Sequence, residues 1–573
     1  MSIPRSEHPR PQFFRPDWQN LNGQWQFEID HGRSGKARGL AKSESLSGEI
    51  TVPFCPESSL SGVEFKDFMA AVWYKRTLHI PAEKAGLITL LHFGAVDYHT
   101  EVFVNGEPAG THDGGYVSFT IDITKYVHQG DNLITVYAED DNRTGMQPRG
   151  KQSSEYHSHG CDYTRTTGIW QTVWVEWVNP TYIQSVKLTP DAKNGKVLIE
   201  AKLSGDTKDV SFLADASFEG KACGAAQAKA YGQTVRTELS VSELHLWNVG
   251  EPNLYDLNLR LVKDGSELDM LTSYFGLRDV AFDGMKFTIN GRPVFMRLVL
   301  DQGFYPDGIY TAPSDEALKN DIYLSMNMGF NGARLHEKVF EARFLYHADH
   351  IGYLCWGEMG NWGLDHSRIA TLPPFLKEWL QSVERDYSAP SIIGWCPFNE
   401  TWDQHGCQQD DEILRCIYRV TKALDPTRPV IDTSGNFHVE TDIHDVHDYE
   451  QTPEVFRSLY GPGTAPIHDH FPKRQQYKGQ PVFVSEYGGV WWSDTQKEGW
   501  GYGQRPQSRE EFLDRLKGLT DALLDNPDHC GLCYTQLTDV EQEQNGLYTY
   551  QRQPKFDPKV IHAIFSRKAA MEE

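Results

Sequence analysis

Ser391-Ile-Ile-Gly-Trp-Cys-Pro-Phe-Asn-Glu400 opens on an apolar run as long as a buried strand and ends on two polar side chains, Asn399 and Glu400. A buried strand that finishes in a carboxylate is how an α/β barrel presents a reactive group at the carboxyl end of its strands. The design recurs in Pro481-Val-Phe-Val-Ser-Glu486-Tyr-Gly-Gly489, where a β-branched apolar run again carries a glutamate and glycines follow. Two such glutamates point to hydrolysis of a glycosidic bond, in which one carboxyl group donates a proton and the other attacks or activates water.

The surrounding chain reads as βα units from about residue 278 onward, apolar runs alternating with helical stretches. Phe295–Leu300 is the first expected strand, and Ser314 is the N-cap of the helix after it. Phe330–His336, a helix through Phe344, Tyr353–Glu358 and residues 391–400 follow. Pro429–Asp432, Asp442–His447, residues 481–486 and Gly531–Leu537 complete eight strands in about 290 residues, the size of a (β/α)8 TIM barrel. The barrel is thus placed at 278–573.

Upstream, the pattern is β. Leu21–Ile29 and Val72–Ile80 alternate, Thr100–Gly106 ends in an Asn-Gly hairpin signal, and Gly168–Trp177 reads as a closing strand. Residues 1–180 therefore predict a β-sandwich, not a helical domain. Within it the stretch from Asp141 to Thr167, with Arg143, Arg149, His157, His159 and Asp162, is a long polar loop of the kind that carries function or moves. Residues 181–277, with period-two runs at Lys196–Lys202, Thr237–Val241 and Leu254–Val262, fit one immunoglobulin-like β-sandwich that serves as a spacer.

Net charge is 55 − 79 = −24, spread along the chain, which argues against nucleic acid and anionic membrane surfaces as partners. Aromatic residues make up 12%, with 15 Trp, and tryptophan faces stack on sugars or fill cores alike. Nine scattered cysteines fit no disulfide framework, so a reduced, cytoplasmic protein is expected, with Cys530-Gly-Leu-Cys533 structural. The N-terminus has no apolar signal region and no run of 18 apolar residues occurs, so neither export nor membrane spanning is expected.

The two glutamates need opposite tuning, since the acid must hold its proton near neutral pH while the nucleophile stays ionised. Glu400 follows Trp395, Pro397 and Phe398, apolar company that raises a carboxyl pKa, and is assigned as acid/base. Glu486, beside Tyr487 and strand-end donors, suits the nucleophile.

With these residues in view, the chain resembles glycoside hydrolase family 2 over nearly its whole length, the family of β-galactosidases, β-glucuronidases and β-mannosidases. His112-x-Gly-Gly-Tyr-x-x-Phe119 is similar to its sugar-binding jelly-roll motif, and Phe275-Gly-Leu-Arg278 to the junction into its barrel. Gly329-Phe-Asn-Gly-Ala-Arg334-Leu-His336, Asn399-Glu400 and Ser485-Glu486-Tyr-Gly488 resemble its second-strand, acid/base and nucleophile motifs. The resemblance implies retention through a covalent glycosyl-enzyme intermediate. By position, Asn399 would bond the sugar 2-hydroxyl, Arg334 would orient the nucleophile, and His336 and Glu358 would reach sugar hydroxyls. Asp301, His447, Tyr449, Trp491, Trp492 and Gln536 are further substrate-binding candidates on the same positional grounds. The resemblance implies no metal and no cofactor, and a homo-oligomer, dimer or tetramer, acting on a small carbohydrate.

For the sugar, Asn545-Gly-Leu lies where β-glucuronidases carry an Asn-x-Lys that grips the substrate carboxylate, and the lysine is missing. A buried anionic sugar without a cationic partner is costly. An exo-β-glycosidase for β-galactosides is therefore the first expectation. The alternatives are a β-uronidase drawing a cation from Lys555 or the loop arginines, an α-L-arabinopyranosidase, and a non-catalytic carbohydrate-binding relative.

Overall fold

The computed structural model describes residues 3–404, 406–465, 467–496 and 498–573. Its C-terminal part is built on a parallel seven-stranded sheet. In chain order the strands are β1 (Met296–Asp301), β2 (Gly332–Leu335), β3 (Leu354–Glu358), β4 (Ile392–Cys396), β5 (His444–Asp448), β6 (Val482–Gly488) and β7 (His529–Thr535). Their order across the sheet is β4-β3-β2-β1-β7-β6-β5. Every side chain of β1, β2, β3, β4, β6 and β7 is buried, which is why these segments are continuous apolar runs with no polar alternation. Leu298, Leu300, Trp356, Ile393 and Phe483 fill the interior, while Val299, Ala333 and Cys355 pack outward against the helices.

The expected fifth strand, Pro429–Asp432, does not form a strand of the sheet. The chain there touches β4 through two isolated parallel bridges, Trp395 to Val430 and Asn399 to Ser434. The cause is visible in its hydrogen bonds. Ser434 N–H donates to Phe398 O and Glu400 N–H to Ser434 O, both at 2.8 Å, while Val430 N–H is taken by the Asp442 carboxylate at 2.9 Å. Side chains and the bend at Asn399 interrupt the ladder, yet this segment still spans the gap between β4 and β5 and closes the ring. Among the described residues seven α-helices flank the sheet, including α1 (Asp315–Asn327), capped by Ser314 as its sequence predicts, and α2 (Ala342–Ile351), which starts later than expected.

The N-terminal part holds a six-stranded antiparallel sheet against a four-stranded one. Val72–Ile80 and Gly130–Glu139 form the middle of the larger sheet, and Trp25, Val102, Ile134 and Val175 are among the side chains between the two. Asn105 and Gly106 both take positive φ, 51° and 80°, the backbone that a two-residue hairpin requires. The single closing strand expected at Gly168–Trp177 is broken into Gly168–Ile169 and Val173–Val178. A second sandwich of three and four antiparallel strands follows between Tyr182 and Phe275, with Val197, Ile199, Phe212 and Leu259 in its core. The three-part architecture is the one the sequence predicts.

The junction into the barrel explains how β4 is held. Arg278 is buried and donates to Pro390 O and Ile392 O, both at 2.8 Å. Arg428 donates to the same Ile392 O, also at 2.8 Å. Burial and the neighbouring Arg428 push the Arg278 pKa down to about 9. Arg278 precedes the barrel and grips the start of the strand whose far end carries Glu400. Each hydrogen bond to a charged group contributes about 1.5–3 kcal/mol, so Arg278→Ala is expected to lower the thermal unfolding midpoint of the barrel by several degrees. An unchanged midpoint in a thermal melt of the full chain contradicts this role.

Candidate active site

The carboxyl ends of β2, β3, β5 and β6 and the turn after β4 converge on one buried cluster of charge. At its centre lies Arg334 on β2, with its side chain 1% exposed. Its guanidinium donates to Glu358 Oε2 on β3 at 2.6 Å, to Glu486 Oε1 at 3.1 Å and to Ser485 O at 2.8 Å on β6, and to Asn399 Oδ1 at 3.2 Å. Arginine suits this place because its rigid fork meets several acceptors at once and stays charged when buried. His336, also on the second-strand motif, bonds Glu358 Oε1 through Nδ1 at 3.1 Å. Burial, helped by Lys151 and Arg334, holds its pKa well below the ordinary value, so its ring is neutral.

His447 stands between the two glutamates. Its Nδ1 lies 2.8 Å from Glu400 Oε1 and its Nε2 3.4 Å from Glu486 Oε1. One carboxylate oxygen of each glutamate and a ring nitrogen of His447 all lie within 4.8 Å of one another, so the two carboxyl groups face each other across a narrow gap. Irregularities in the ladder between Val446 and His447, and between Val484 and Tyr487, give His447 and Glu486 this aim. Glu400 itself takes φ 46°, a left-handed backbone that costs a non-glycine residue on the order of 1–2 kcal/mol. The hydrogen bond from its N–H to Ser434 O holds it there.

The sequence-based expectation for the Glu400 pKa is reversed. Burial does push it up, but the hydrogen bond and charge of His447, with the charges of Lys151 and Arg334, outweigh burial and leave it below the ordinary carboxyl value. The His447 pKa is raised: burial opposes its charge, and Glu486 and Glu400 overcome burial. The proton of this pair therefore rests on the imidazole in the free site.

Around Glu486, Tyr449 donates its hydroxyl to Oε2 and lies 3.2 Å from Thr535 Oγ1. Its ring stacks on Tyr502 with centroids 3.3 Å apart. Asn399 is 2% exposed, its N–H is held by Asn361 Oδ1 at 2.6 Å, and its Nδ2 has no partner among the described residues, a donor free for a ligand. Gln536 joins a polar wall in which Gln302 donates to it at 2.7 Å and it donates to Asn545 at 2.8 Å. Asn545 continues to Glu543 Oε1 at 2.8 Å.

Not every candidate lies at the cluster. Asp301 has Asp321, Arg552 and Lys338 as its charged neighbours, and burial with Asp321 pushes its pKa up to about 7. It follows Leu300, which points inward, and so turns toward the helices. Trp492 packs against Phe512 and Phe556 in the outer core. Trp491 is capped by Arg505 at 4.2 Å from the ring centroid. Lys555 is pinned by Asp539 at 2.6 Å, Trp492 O and Gln544 O, and Arg149 by Asp162.

Sequence reasoning did not single out Tyr502, Asn361, Ser434, Trp362, Tyr163, Glu543 or Lys151. Tyr163 donates to Glu543, and Lys151 Nζ lies 3.6 Å from the Trp362 ring centroid. These come from loops, where the only sequence signal was the unusual length and polarity of 141–167. All nine cysteines are free, and Cys530 and Cys533 are buried. No helix among the described residues is long and apolar enough to cross a membrane. Among the described residues two clusters could hold a metal ion, Glu400–His447–Glu486, where Arg334 already brings positive charge to Glu486, and Asp448–His468–His470. A cavity of about 650 Å³ lies elsewhere, where Arg10, His92, Tyr182 and Arg385 meet, and neither glutamate lines it.

Three family models match the chain in sequence. Residues 57–175 match the sugar binding domain of glycosyl hydrolases family 2, 181–278 match glycosyl hydrolases family 2, and 283–497 match its TIM barrel domain. A beta-galactosidase of Thermoanaerobacter pseudethanolicus is 26% identical over 77% of this chain and 57% of its own length. A putative beta-glucuronidase of Formosa agariphila is 28% identical over 62% of this chain and 44% of its own length. The chain thus spans about half the length of these relatives. The crystal structure of Ruminococcus gnavus beta-glucuronidase shares the fold with TM-score 0.81 and 18% identity, covering 99% of each chain.

Replacing His447 with Gln removes the cation that holds the Glu400 pKa down while burial remains, so that pKa is expected to rise. Carbon NMR titration of the labelled side chain, assigned with Glu400→Gln, reads the shift, and an unchanged or lower value contradicts the assignment of cause.

Proposed function

We propose that this chain, which belongs to glycosyl hydrolases family 2, is a retaining exo-β-glycosidase with Glu486 as nucleophile and Glu400 as acid/base. The observation that carries the reading is that one carboxylate oxygen of Glu400 lies within 4.8 Å of one of Glu486, with His447 between them. A retaining mechanism works with carboxyl groups about 5–5.5 Å apart and an inverting one with about 6.5–9.5 Å, and the spacing here supports the first.

In the first step a Glu486 oxygen bonds to the anomeric carbon as the bond to the leaving oxygen breaks, and that oxygen takes a proton from Glu400. In the second, Glu400 takes a proton from water, whose oxygen displaces Glu486 and restores the starting configuration. Arg334 and Tyr449 hold Glu486 by one oxygen each and fix its aim. The free Nδ2 of Asn399 suits a sugar 2-hydroxyl, a contact that strengthens as the ring approaches the oxocarbenium-like transition state. The proton carried by His447 at rest, 2.8 Å from Glu400, gives the acid its supply. The wall of Tyr163, Glu543 and Asn545 closes one side of the mouth and favours a chain end over an internal linkage. The names of the relatives span β-galactosides and β-glucuronides, and the substrate is of that class.

Glu486→Ala is expected to lower hydrolysis of nitrophenyl β-glycosides on the order of 10⁴-fold or more, with azide restoring turnover as an α-glycosyl azide. Turnover within a few-fold of the original chain contradicts the assignment. Proton NMR of the first product is expected to show the β-anomer, and the α-anomer contradicts retention.

A further inference from the structure

Lys151 is 5% exposed, yet among the described residues its ammonium makes no hydrogen bond and no ion pair. Its one close partner is the face of Trp362, 3.6 Å from the ring centroid. A cation over an aromatic ring gains about 0.5–2 kcal/mol, whereas buried charges in proteins are normally paired and hydrogen-bonded. Three of the nearby carboxylates are already committed, and Glu337, whose Oε1 has no hydrogen-bond partner among the described residues, makes no ion pair with Lys151. Glu486 is held by Arg334 and Tyr449, Glu400 by His447, and Glu543 by Tyr163 and Asn545.

The lysine is held firmly in place. Arg149 N–H donates to Trp362 O and Tyr163 N–H to Lys151 O, both at 2.7 Å, and Gln152 donates to Asp97 at 2.8 Å. Gly150, at φ 56°, is pressed so close to Glu337 O that a Cβ there would collide with it. The backbone N–H of Trp362 donates to Glu337 Oε2 at 3.1 Å, which ties the residue whose ring lies beneath the ammonium to the segment that follows His336. The charged form of Lys151 is favoured, against burial, by the carboxylates of Glu400, Glu543 and Glu486. The ammonium therefore sits in the electrostatic reach of both sides of the reacting bond.

We propose that Lys151, carried into the barrel mouth by the loop of the N-terminal sandwich, is the cation that recognises an anionic substituent on the sugar, the carboxylate of a β-uronide or a sulfate ester. The proposal rests on the glycosidase reading above and deepens it. It also answers the argument from the missing Asn-x-Lys lysine. The chain places a cation at the site from the opposite domain, while Lys555 and Arg149 are bound elsewhere.

The test compares kcat/KM of the full chain on nitrophenyl β-D-glucuronide and β-D-galacturonide, on the matching glucoside and galactoside, and on the 6-O-sulfated galactoside. An anionic sugar is expected to exceed its neutral counterpart by about 100-fold or more, and whichever anion does so identifies the source. Lys151→Met is expected to remove most of that ratio, chiefly through KM, and Lys151→Arg to restore part of it. Neutral glycosides hydrolysed by the original chain as well as the anionic ones overturn the proposal without any variant. A Met variant that loses activity equally on both classes overturns it too. Release from none of the five glycosides instead contradicts the glycosidase reading itself.

Discussion

The structure depends on one buried guanidinium. Arg334 ties Glu358 on β3, Glu486 and Ser485 on β6, and Asn399 after β4 to a single point at the mouth of the barrel. Removing one member of such a buried charge cluster costs about 3–5 kcal/mol, because the others are left uncompensated. The arrangement is therefore poor economy for stability alone and sensible as pre-organisation, since it fixes the Glu486 carboxylate before any ligand arrives. His447 is the second tie, and it sets the electrostatics of Glu400 against the pull of burial.

The barrel does not make this site unaided. Tyr163 reaches Glu543, Thr164 N–H donates to Glu541 at 3.1 Å, and Gln542 donates to Gly160 O at 2.9 Å, so the 141–167 loop is fastened along the segment after β7. At the other end of the strands, Arg278 brings the junction from the second sandwich onto the first residues of β4. Both β-rich parts thus act on the same cluster, one walling its mouth and the other bracing a strand from below.

What the sequence disclosed follows from what short-range pattern can carry. Fully buried parallel strands are apolar runs, so β1 to β4, β6 and β7 could be read directly, and a glutamate ending such a run announces itself. The segment at Pro429–Asp432 has the same composition but yields its Val430 N–H to the Asp442 side chain, a competition no local pattern displays. The Glu400 pKa was misjudged because its neighbours along the chain are apolar while its neighbour in space, His447, is cationic and lies on another strand. Lys151, Tyr502 and Trp362 were invisible for a related reason. They sit in loops without periodicity, and their meaning comes only from what the fold sets beside them.

The central claim is that Glu486 is the atom donor to the anomeric carbon and Glu400 is not. Incubation with a 2-deoxy-2-fluoro glycosyl fluoride of the hydrolysed sugar slows release of a covalent intermediate by destabilising its oxocarbenium-like transition state. Peptide mass spectrometry of the trapped protein then identifies the attachment point directly. A single glycosyl adduct on the peptide carrying Glu486 is the predicted result. An adduct on Glu400, or turnover that proceeds with no adduct formed, contradicts the account.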